Sequence, residues 1–388
     1  MQNGSGIDFP SRFKVGVTCA SGLEKCLKKE LTRLGYPPAP VVNGLAVFEG
    51  DGAAVARLNV NLRTADRVYI IAGEFPAVSF DMLFEGVKAV EWEKFIPADG
   101  KFTVNGKCVK SRLFSVADCQ RIIKKAAAER LCAKYGLNRL PEDGAEYFVH
   151  FSIYKDSVLL MIDTSGEGLH KRGYRDLVGI APMRETLAAG LVLMSDFYRE
   201  RPFADPFCGS GTIAIEAAMI ACNIAPGLKR GFAFERWNNF GGGFIELARE
   251  EAADRQYNGV KPLIFGSDIS PEAIRLSIRH ARRAGVLDSV RFEVKAAADF
   301  APRFSEGTIV TNPPYGERVI GRAKAYECYK GLGGALKKYP GWSLFLITAA
   351  RDFEKHFGKK CDREKKIFNS NRECRYYYYY GKKTEKKI

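Results

Sequence analysis

The spacing of hydrophobic and polar residues predicts two small α+β units in the first 168 residues. In residues 1–64, apolar alternation in RFKVGVTC and GLAVFEG predicts two strands, and the periodicity of GLEKCLKKELTRLGY predicts an amphipathic helix that Gly35 closes. Residues 65–168 begin with a strand, DRVYIIAGEF, and a helix, FDMLFEGVKAVEWEKFI. A second helix, SRLFSVADCQRIIKKAAAERLCAKYG, and two strands around a turn at Asp156 complete this unit.

From about residue 169 the pattern changes, and strand-like runs alternate with helix-like runs. The strand-like runs are FADPF, PLIFGSDI, VRFEV, TIVTNPP and WSLFLIT. Such alternation is typical of a parallel sheet with helices on both faces. The final segment, KKIFNSNRECRYYYYYG, instead predicts an antiparallel hairpin that turns at Asn369 to Asn371. We therefore expect an α/β unit over residues 169–388 whose sheet ends in mixed strands.

Positive charge is concentrated in two segments of a protein whose net charge is +15. Residues 101–140 contain ten Lys and Arg residues and two acidic residues. Residues 351–388 contain thirteen Lys and Arg residues and six acidic residues. Because contacts to phosphate give sequence-independent affinity, these segments favour a polyanionic partner. The same charge pattern is also typical of solvated helix faces and, at residues 382–388, of a frayed tail.

Length and composition argue against several classes of protein. A chain of 388 residues is expected to form two or three domains. No apolar run approaches the roughly 18 residues of a membrane span. The N-terminus MQNGSGIDFP lacks the features of a secretion signal, so we expect a cytoplasmic protein. The ten cysteines are scattered without a C-x-x-C pair, which favours free thiols, and the four histidines are too widely spaced for a zinc site.

The segment FADPFCGSGTIAIEAA carries a glycine-rich loop between a strand and a helix. Gly209, Gly211 and Ala214 have the G-x-G-x-x-A spacing that lets a backbone approach a nucleotide, which is equally compatible with a nicotinamide-dependent oxidoreductase. Asp268, at the end of the next clear strand, can accept both hydroxyls of an adenosine ribose. It lies 57 residues past Gly211 instead of about 20, so an insertion must separate them. Glu235 is closer to that spacing but does not end a strand-like run.

Two further strand ends carry polar residues. Asp299, in VKAAADF, can accept a hydrogen bond from an adenine amino group, although an ordinary capping aspartate suits this position nearly as well. The strand TIVTN stops at Asn312, and the two prolines after it remove two backbone donors and fix two φ angles. Because residues beyond the carboxyl ends of parallel strands face the ligand crevice, we expect Asn312 to point into it, with the Pro313 carbonyl and Tyr315 nearby.

The ordered motifs DPFCGSGT, GSDI, AADF and NPPY resemble those of class I S-adenosylmethionine-dependent methyltransferases that act on exocyclic amino groups. The junction LHKRGYRD and the segments FERW, NPPYGER and NSNRECRYYYY are similar to those of THUMP-domain RNA guanine-N2 methyltransferases. That family modifies 23S ribosomal RNA and, in related members, transfer RNA. NPPY alone is shared with adenine-N6 DNA methyltransferases and with glutamine methyltransferases, so the combination of motifs carries the specificity.

The resemblance implies a ferredoxin-like domain (residues 1–64), a THUMP RNA-binding domain (65–168) and a Rossmann-like methyltransferase domain with a seven-stranded mixed sheet (169–388). It also implies S-adenosylmethionine as the cofactor and no metal. The residues that match the cofactor-binding motifs are Asp205, Pro206, Cys208, Gly209, Ser210, Gly211, Thr212, Glu216, Asp268, Ile269, Asp299 and Asn312. Among these, Cys208 is more typical of a small buried thiol than of a nucleophile, and Glu216 can either bind loop amides or act electrostatically on the helix.

The catalytic residues that the resemblance implies are Asn312, Pro313, Pro314 and Tyr315. The Asn312 side-chain oxygen and the Pro313 carbonyl are two fixed acceptors for the N–H groups of a purine amine. Tyr315 can stack on the base, which must be extruded or already unpaired. A strong general base is unnecessary, since the aminium proton becomes acidic as the methyl group transfers.

RNA is the partner that the resemblance implies, with 23S ribosomal RNA as the first expectation and transfer RNA as the alternative. The predicted contacts lie on the cationic face of the basic helix, at Arg121, Lys124 and Lys125. Arg172 and Arg175, in the junction, can either touch RNA or hold the joint between the domains. A non-catalytic RNA-binding assembly factor with the same fold is the alternative from another functional class.

Overall fold

The computed structural model describes residues 9–37, 40–175, 183–259, 261–316 and 321–382. The N-terminal half contains β1 (Phe13–Cys19), α1 (Glu24–Arg33), β2 (Leu45–Gly50), α2 (Gly52–Asn61), β3 (Ala65–Pro76), α3 (Phe80–Ala89), β4 (Lys101–Val109), α4 (Val116–Tyr135), β5 (Glu146–Tyr154) and β6 (Ser157–Asp163). The C-terminal half contains α5 (Glu185–Met194), β7 (Phe203–Asp205), α6 (Thr212–Ala221), α7 (Phe244–Asp254), β8 (Ile264–Asp268), α8 (Pro271–Ala284), β9 (Val290–Val294), β10 (Glu306–Thr311), α9 (Arg322–Leu336), β11 (Gly341–Thr348), α10 (Phe353–Phe357), β12 (Arg363–Asn369) and β13 (Arg372–Tyr379).

The strands of the N-terminal half form one six-stranded sheet in the order β2-β1-β3-β6-β5-β4. The long strand β3 pairs with β1 on one side and with β6 on the other, so the two predicted units share a single sheet. The predicted boundary at residue 64 falls immediately before this shared strand and stays a prediction.

Most predicted elements of the N-terminal half are present, and three details differ. Helix α3 ends at Ala89, earlier than predicted, because Val90 is extended and the chain turns to bury Trp92, whose indole N–H donates to the Val87 carbonyl. The sequence patterns gave no prediction for α2 or β4. Helix α2 is capped by the Asp51 side chain, which accepts from the Ala54 N–H at 2.8 Å.

The C-terminal half forms a seven-stranded sheet in the order β12-β13-β11-β10-β7-β8-β9. Five adjacent strands, β11, β10, β7, β8 and β9, are parallel. Strand β13 is antiparallel to both of its neighbours, β11 and β12. The predicted seven-stranded mixed sheet is therefore confirmed. Strands β12 and β13 form the predicted hairpin, with Asn369 paired to Arg372. The tyrosines from Tyr376 to Tyr379 are buried within it.

The direction in which strands are added reverses between β7 and β10, which lie side by side in the middle of the sheet. From β7 the chain adds β8 and β9 on one side, and from β10 it adds β11 on the other. Because the following connections leave toward opposite sides, the carboxyl ends of these two strands border a crevice in which ligands bind in open α/β sheets. Asp205 ends β7, and Asn312 directly follows β10.

The two halves are joined by direct side-chain contacts. Arg57 on α2 forms a bidentate ion pair with Glu251 on α7, with nitrogen–oxygen distances of 2.7 and 2.9 Å. The ring of Phe244 lies so close to Gly52 that a Cβ there would be 2.5 Å from it. Among the helices that the structure describes, none combines the length and apolarity needed to cross a membrane.

Candidate active site

The glycine-rich loop connects the end of β7 to the start of α6, at one side of the crevice. Gly211 has a φ of 84°, and a Cβ at this position would lie 2.7 Å from the Ser277 Cβ, so the tight turn requires glycine. Gly209 also has positive φ, but a Cβ there would meet no atom within 4 Å. The loop is thus packed on one side and open on the other, as a loop that admits a nucleotide must be.

Asp268 lies beside this loop, at the end of the neighbouring strand β8. One of its carboxylate oxygens accepts from the Gly209 N–H at 3.1 Å, and the other accepts from the Ser270 N–H at 3.0 Å. The side chain of Ile269 is 70% exposed, and Val294, at the end of β9, is 54% exposed. These two apolar side chains and the carboxylate suit the adenosine part of S-adenosylmethionine, so the residues present fit this cofactor.

Four further residues near this side of the crevice can be compared with their predictions. Val294 was not among the predicted cofactor-binding residues, although the sequence indicates its position at the end of a strand-like run. Asp299 is exposed in a 3₁₀ turn after β9. Cys208 is buried, and burial raises the pKa of its thiol, which fits a structural thiol. Glu235 caps its own 3₁₀ turn by accepting from the Phe232 N–H at 2.8 Å.

Asp205 connects the two sides of the crevice. Its carboxylate accepts a hydrogen bond from the Thr311 hydroxyl at 2.6 Å and one from the Phe207 N–H at 3.2 Å. Thr311 is the last residue of β10, so this contact ties the start of the glycine-rich loop to the residue before Asn312. Burial raises the Asp205 pKa to about 7, against the opposing effect of both hydrogen bonds.

The Tyr315 phenol has a different position from the one that base stacking alone predicts. Its hydroxyl donates to the Asn312 side-chain oxygen at 2.7 Å. The same hydroxyl is approached by Asn369 Nδ2 at 3.5 Å and Cys374 Sγ at 3.7 Å, both from the β12–β13 hairpin. The Arg372 guanidinium lies 5.7 Å from the ring centroid. Tyr315 therefore orients the Asn312 amide and is itself held by the hairpin.

A cavity of about 270 Å³ adjoins the Asn312 loop. It is lined by Thr348, Ala349, Ala350, Arg351, Glu373, Cys374 and Arg375. Cys374 contacts Tyr315, and the Tyr329 hydroxyl lies 3.4 Å from the Thr348 hydroxyl and donates to the Pro314 carbonyl at 2.7 Å. The cavity lining is thus connected to the loop that contains Asn312, directly through Cys374 and indirectly from Thr348 through Tyr329. The sequence did not reveal it, because its lining comes from two segments separated in the chain.

The structure corrects the predictions for three residues near the junction. Arg172 is only 4% exposed and donates to the carbonyl oxygens of Leu169 and Arg63, so it holds the joint and is not available to RNA. Arg175 is mostly buried, and its Nη1 lies 3.2 Å from the Glu185 carboxylate. Glu216 does not reach the loop amides; its buried carboxylate lies 3.5 Å from Arg172 Nε and accepts from the Tyr174 hydroxyl at 3.2 Å.

The basic helix α4 also differs from its prediction at one position. The Lys124 ammonium is paired with Glu142 and lies 3.8 Å from the centroid of the Phe102 ring, so it is not free to bind RNA. The side chains of Arg121 and Lys125 are 78% and 72% exposed, and each forms an ion pair along the same helix, with Asp118 and Glu129 respectively. In the part of the chain that the structure describes, no group of three or more histidine, cysteine, aspartate or glutamate residues is placed to hold a metal ion.

Three family models match this chain. Residues 172–378 match an RMKL-like methyltransferase domain, residues 14–69 match the RlmL ferredoxin-like domain, and residues 77–163 match the THUMP domain. The three matches follow one another along the chain in the order that the sequence predicted.

Similar proteins cover almost the full length of the chain. The putative RNA methyltransferase YpsC of Bacillus subtilis is 45% identical, over 96% of this chain and 97% of its own. A solved structure from Listeria monocytogenes, described as a predicted N6-adenine-specific DNA methylase, is 45% identical over 96% of this chain and 97% of its own, with a TM-score of 0.91. SMU.472, a putative methyltransferase complexed with SAH, is 37% identical over 97% of this chain and 100% of its own, with a TM-score of 0.92.

The buried Asp205 carboxyl generates a prediction about stability and pH. The pKa of this carboxyl is about 7 in the folded protein against an ordinary value of 3.8, so the folded protein binds the proton more tightly than the unfolded chain does. Its stability should therefore fall as pH rises from about 4 to about 7. Asp205→Asn removes this effect, so its free energy of unfolding relative to the wild type should rise by up to about 4 kcal/mol over that range. Urea unfolding without cofactor, at a series of pH values, measures the difference.

Thr311→Val provides the matched test. Loss of its hydroxyl removes a hydrogen bond that favours the carboxylate, so the decline in stability should extend to higher pH than in the wild type. Parallel stability curves for the wild type and Asp205→Asn would contradict this account of Asp205.

Proposed function

This chain belongs to the RMKL-like methyltransferase family, and from that premise we propose that it methylates the exocyclic N2 amine of a guanine in RNA, with 23S ribosomal RNA as the substrate. The observation that carries the proposal is the position of Asn312. It follows β10 at the reversal of strand order, and Asp205 ties this strand end to the glycine-rich loop.

The predicted family, fold class and cofactor are confirmed. The three domain models occur in one chain, and a relative with a TM-score of 0.92 is complexed with SAH, the product of S-adenosylmethionine after methyl transfer. A nicotinamide-dependent oxidoreductase leaves these matches unexplained.

The choice of RNA rests on the N-terminal half. The B. subtilis relative is described as a putative RNA methyltransferase and the L. monocytogenes structure as a predicted adenine-specific DNA methylase, so their descriptions support different substrates. The THUMP domain and the net positive charge of residues 101–140 favour RNA. Transfer RNA is the alternative substrate.

The residues of the catalytic loop fit the chemistry of an exocyclic amine. The nitrogen lone pair is delocalised into the purine ring, so acceptors that hold both N–H groups favour the pyramidal geometry needed for attack. The Asn312 oxygen and the Pro313 carbonyl are suitable acceptors, while the Pro314 carbonyl is engaged by Tyr329. S-adenosylmethionine supplies an electrophilic methyl group when bound. The proton that the nitrogen loses passes to solvent, and no side chain is assigned as its base.

Tyr315 keeps the Asn312 amide in one orientation. Burial raises the pKa of its phenol, so the hydroxyl stays protonated at neutral pH and acts as a donor. The Asn312 oxygen has two lone pairs and can accept from both Tyr315 and the substrate amine. We assign the acceptor base to the adjoining cavity, because its lining residue Cys374 contacts Tyr315 and its lining residue Thr348 is linked to the Pro314 carbonyl through Tyr329.

The product identifies the substrate. The protein is incubated with methyl-labelled S-adenosylmethionine and deproteinised RNA from cells that lack its gene, and the separated 23S and transfer RNA are digested to nucleosides. We expect label in N2-methylguanosine from 23S RNA, and none in RNA from cells that keep the gene. Label in N6-methyladenosine, or no label with intact cofactor binding, would contradict the proposal, and label in transfer RNA would move the substrate there.

Asn312→Ala tests the acceptor role. We expect methyl transfer to fall by at least about 100-fold, as with loss of one preorganised transition-state hydrogen bond, while the Kd for S-adenosylmethionine changes little. Single-turnover kinetics and calorimetry measure the two quantities. Equal loss of both would place Asn312 in the cofactor site instead.

Tyr315→Phe tests the orienting hydrogen bond without removing the ring. Loss of one neutral hydrogen bond is worth about 1 kcal/mol, so we expect kcat to fall by about fivefold with KM nearly unchanged. Tyr315→Leu should also raise KM if the ring stacks on the base. If Tyr315→Phe has the kcat of the wild type, the hydroxyl does not position Asn312.

A further inference from the structure

Exposed hydrophobic side chains are concentrated at one end of the predicted THUMP unit. Of the fifteen large hydrophobic residues that are exposed in the described part of the chain, six lie between residues 78 and 116. They are Val78, Phe80, Met82, Val109, Phe114 and Val116, which we call the β4–α4 surface. Such a concentration on a protein surface marks an interaction site more often than chance exposure does.

This surface comes from the start of α3, the end of β4 and the start of α4, and Asp156 holds together the loops beside these elements. Its carboxylate accepts from the Arg112 N–H at 2.7 Å, and its own N–H donates to the Ser111 hydroxyl at 3.1 Å. Its carbonyl accepts from the Ala77 N–H at 2.9 Å. The β4–α4 connection, the β5–β6 turn and the residues before α3 are therefore fixed relative to one another. The surface is preformed.

Phe114 is the most exposed of these side chains, at 82%. It directly precedes Ser115, the N-cap of α4, a position from which a hydrophobic residue commonly packs on the fourth residue of the helix. That residue, Cys119, is buried, and the exposure of the Phe114 ring shows that it does not cover it. Packing at the start of α4 therefore does not explain the exposed Phe114 ring. The neighbouring Leu113 is buried and holds the loop against the core.

The surface is bordered by positive charge. Lys110 and Lys155 are exposed, and no ion pair holds either ammonium group among the residues that the structure describes. Arg112 is 72% exposed, with Nε 3.8 Å from Asp156. Aromatic rings flanked by cations suit nucleotides whose bases are unpaired, because the ring can stack on a base and the cations can contact phosphates.

We propose that the β4–α4 surface binds unpaired nucleotides of the RNA substrate, with Phe114 stacking on a base and Lys110 and Lys155 contacting the neighbouring phosphates. This inference rests on the proposed RNA substrate and adds the part of that RNA which the protein recognises. A second copy of the chain fits less well, since a twofold contact through this surface would place the same cations opposite one another.

The test measures binding of the full-length protein to a fluorescein-labelled oligoadenylate of about 12 nucleotides by fluorescence anisotropy, without cofactor. Stacking predicts that Phe114→Ala raises the Kd by about 5- to 150-fold, whereas Phe114→Trp keeps it near the wild-type value. Tyr198→Ala is the matched control, because Tyr198 is an exposed aromatic residue in the other half of the chain. It should leave the Kd unchanged.

The cations have a separate signature. Lys110→Gln and Lys155→Gln should each lower the slope of log K against log salt by about 1. A blunt duplex of the same length should lose little affinity from Phe114→Ala, because its bases are already stacked on one another.

An unchanged Kd of Phe114→Ala for the oligoadenylate, or equal losses for single strand and duplex, would overturn the inference. Self-association that Phe114→Ala abolishes, with RNA binding intact, would assign the surface to a protein contact and also overturn it. The outcome is distinguishable from failure of the proposed function, because binding is measured without methyl transfer. A Phe114-dependent Kd combined with a product other than N2-methylguanosine would leave the surface standing and reject the reaction.

Discussion

The whole site depends on the reversal of strand order between β7 and β10. At this point the glycine-rich loop and the Asn312 loop begin side by side, and the hydrogen bond from Thr311 to Asp205, at 2.6 Å, connects them. The contact has a cost, because the carboxyl is removed from water and its pKa rises to about 7. A buried ionisable group at a strand end, with two hydrogen bonds to it, fixes the glycine-rich loop and the Asn312 loop as one unit.

The positions of polar residues at strand ends could be predicted from sequence, because the first polar residue after an apolar run in a parallel sheet lies at or just beyond the end of the strand. Asp268 and Asn312 follow this rule. The direction of a side chain beyond the strand is another matter, since it depends on contacts from distant segments. The Tyr315 hydroxyl is held by residues 54 and 59 positions further along the chain, and no local pattern encodes that contact.

Charge was the least reliable guide in the sequence for the same reason. The helical periodicity of α4 predicts a cationic face, but it could not show that Lys124 is neutralised by Glu142 from a loop beyond the helix. In the junction, the sequence left Arg172 open to an RNA contact or a role in the joint, and the side chain is buried against Glu216. Burying two charges is expensive unless they are paired and hydrogen-bonded, and Arg172 meets this condition through the carbonyls of Leu169 and Arg63.

The contacts of Arg172 also connect the N-terminal half to the predicted cofactor site. Glu216 lies on α6, the helix that begins at the glycine-rich loop, while the Arg63 carbonyl belongs to the segment that leads into β3. Strand β3 is shared by both parts of the N-terminal sheet. The surface that we assign to RNA and the loop that we assign to the cofactor are therefore connected by this one strand and one buried side chain, Arg172. A connection through a paired strand and buried hydrogen bonds favours substrates of fixed shape, because it limits the change in distance from the bound nucleotides to Asn312. For the guanine that we propose as acceptor, the fold of the RNA must then bring the base to Asn312.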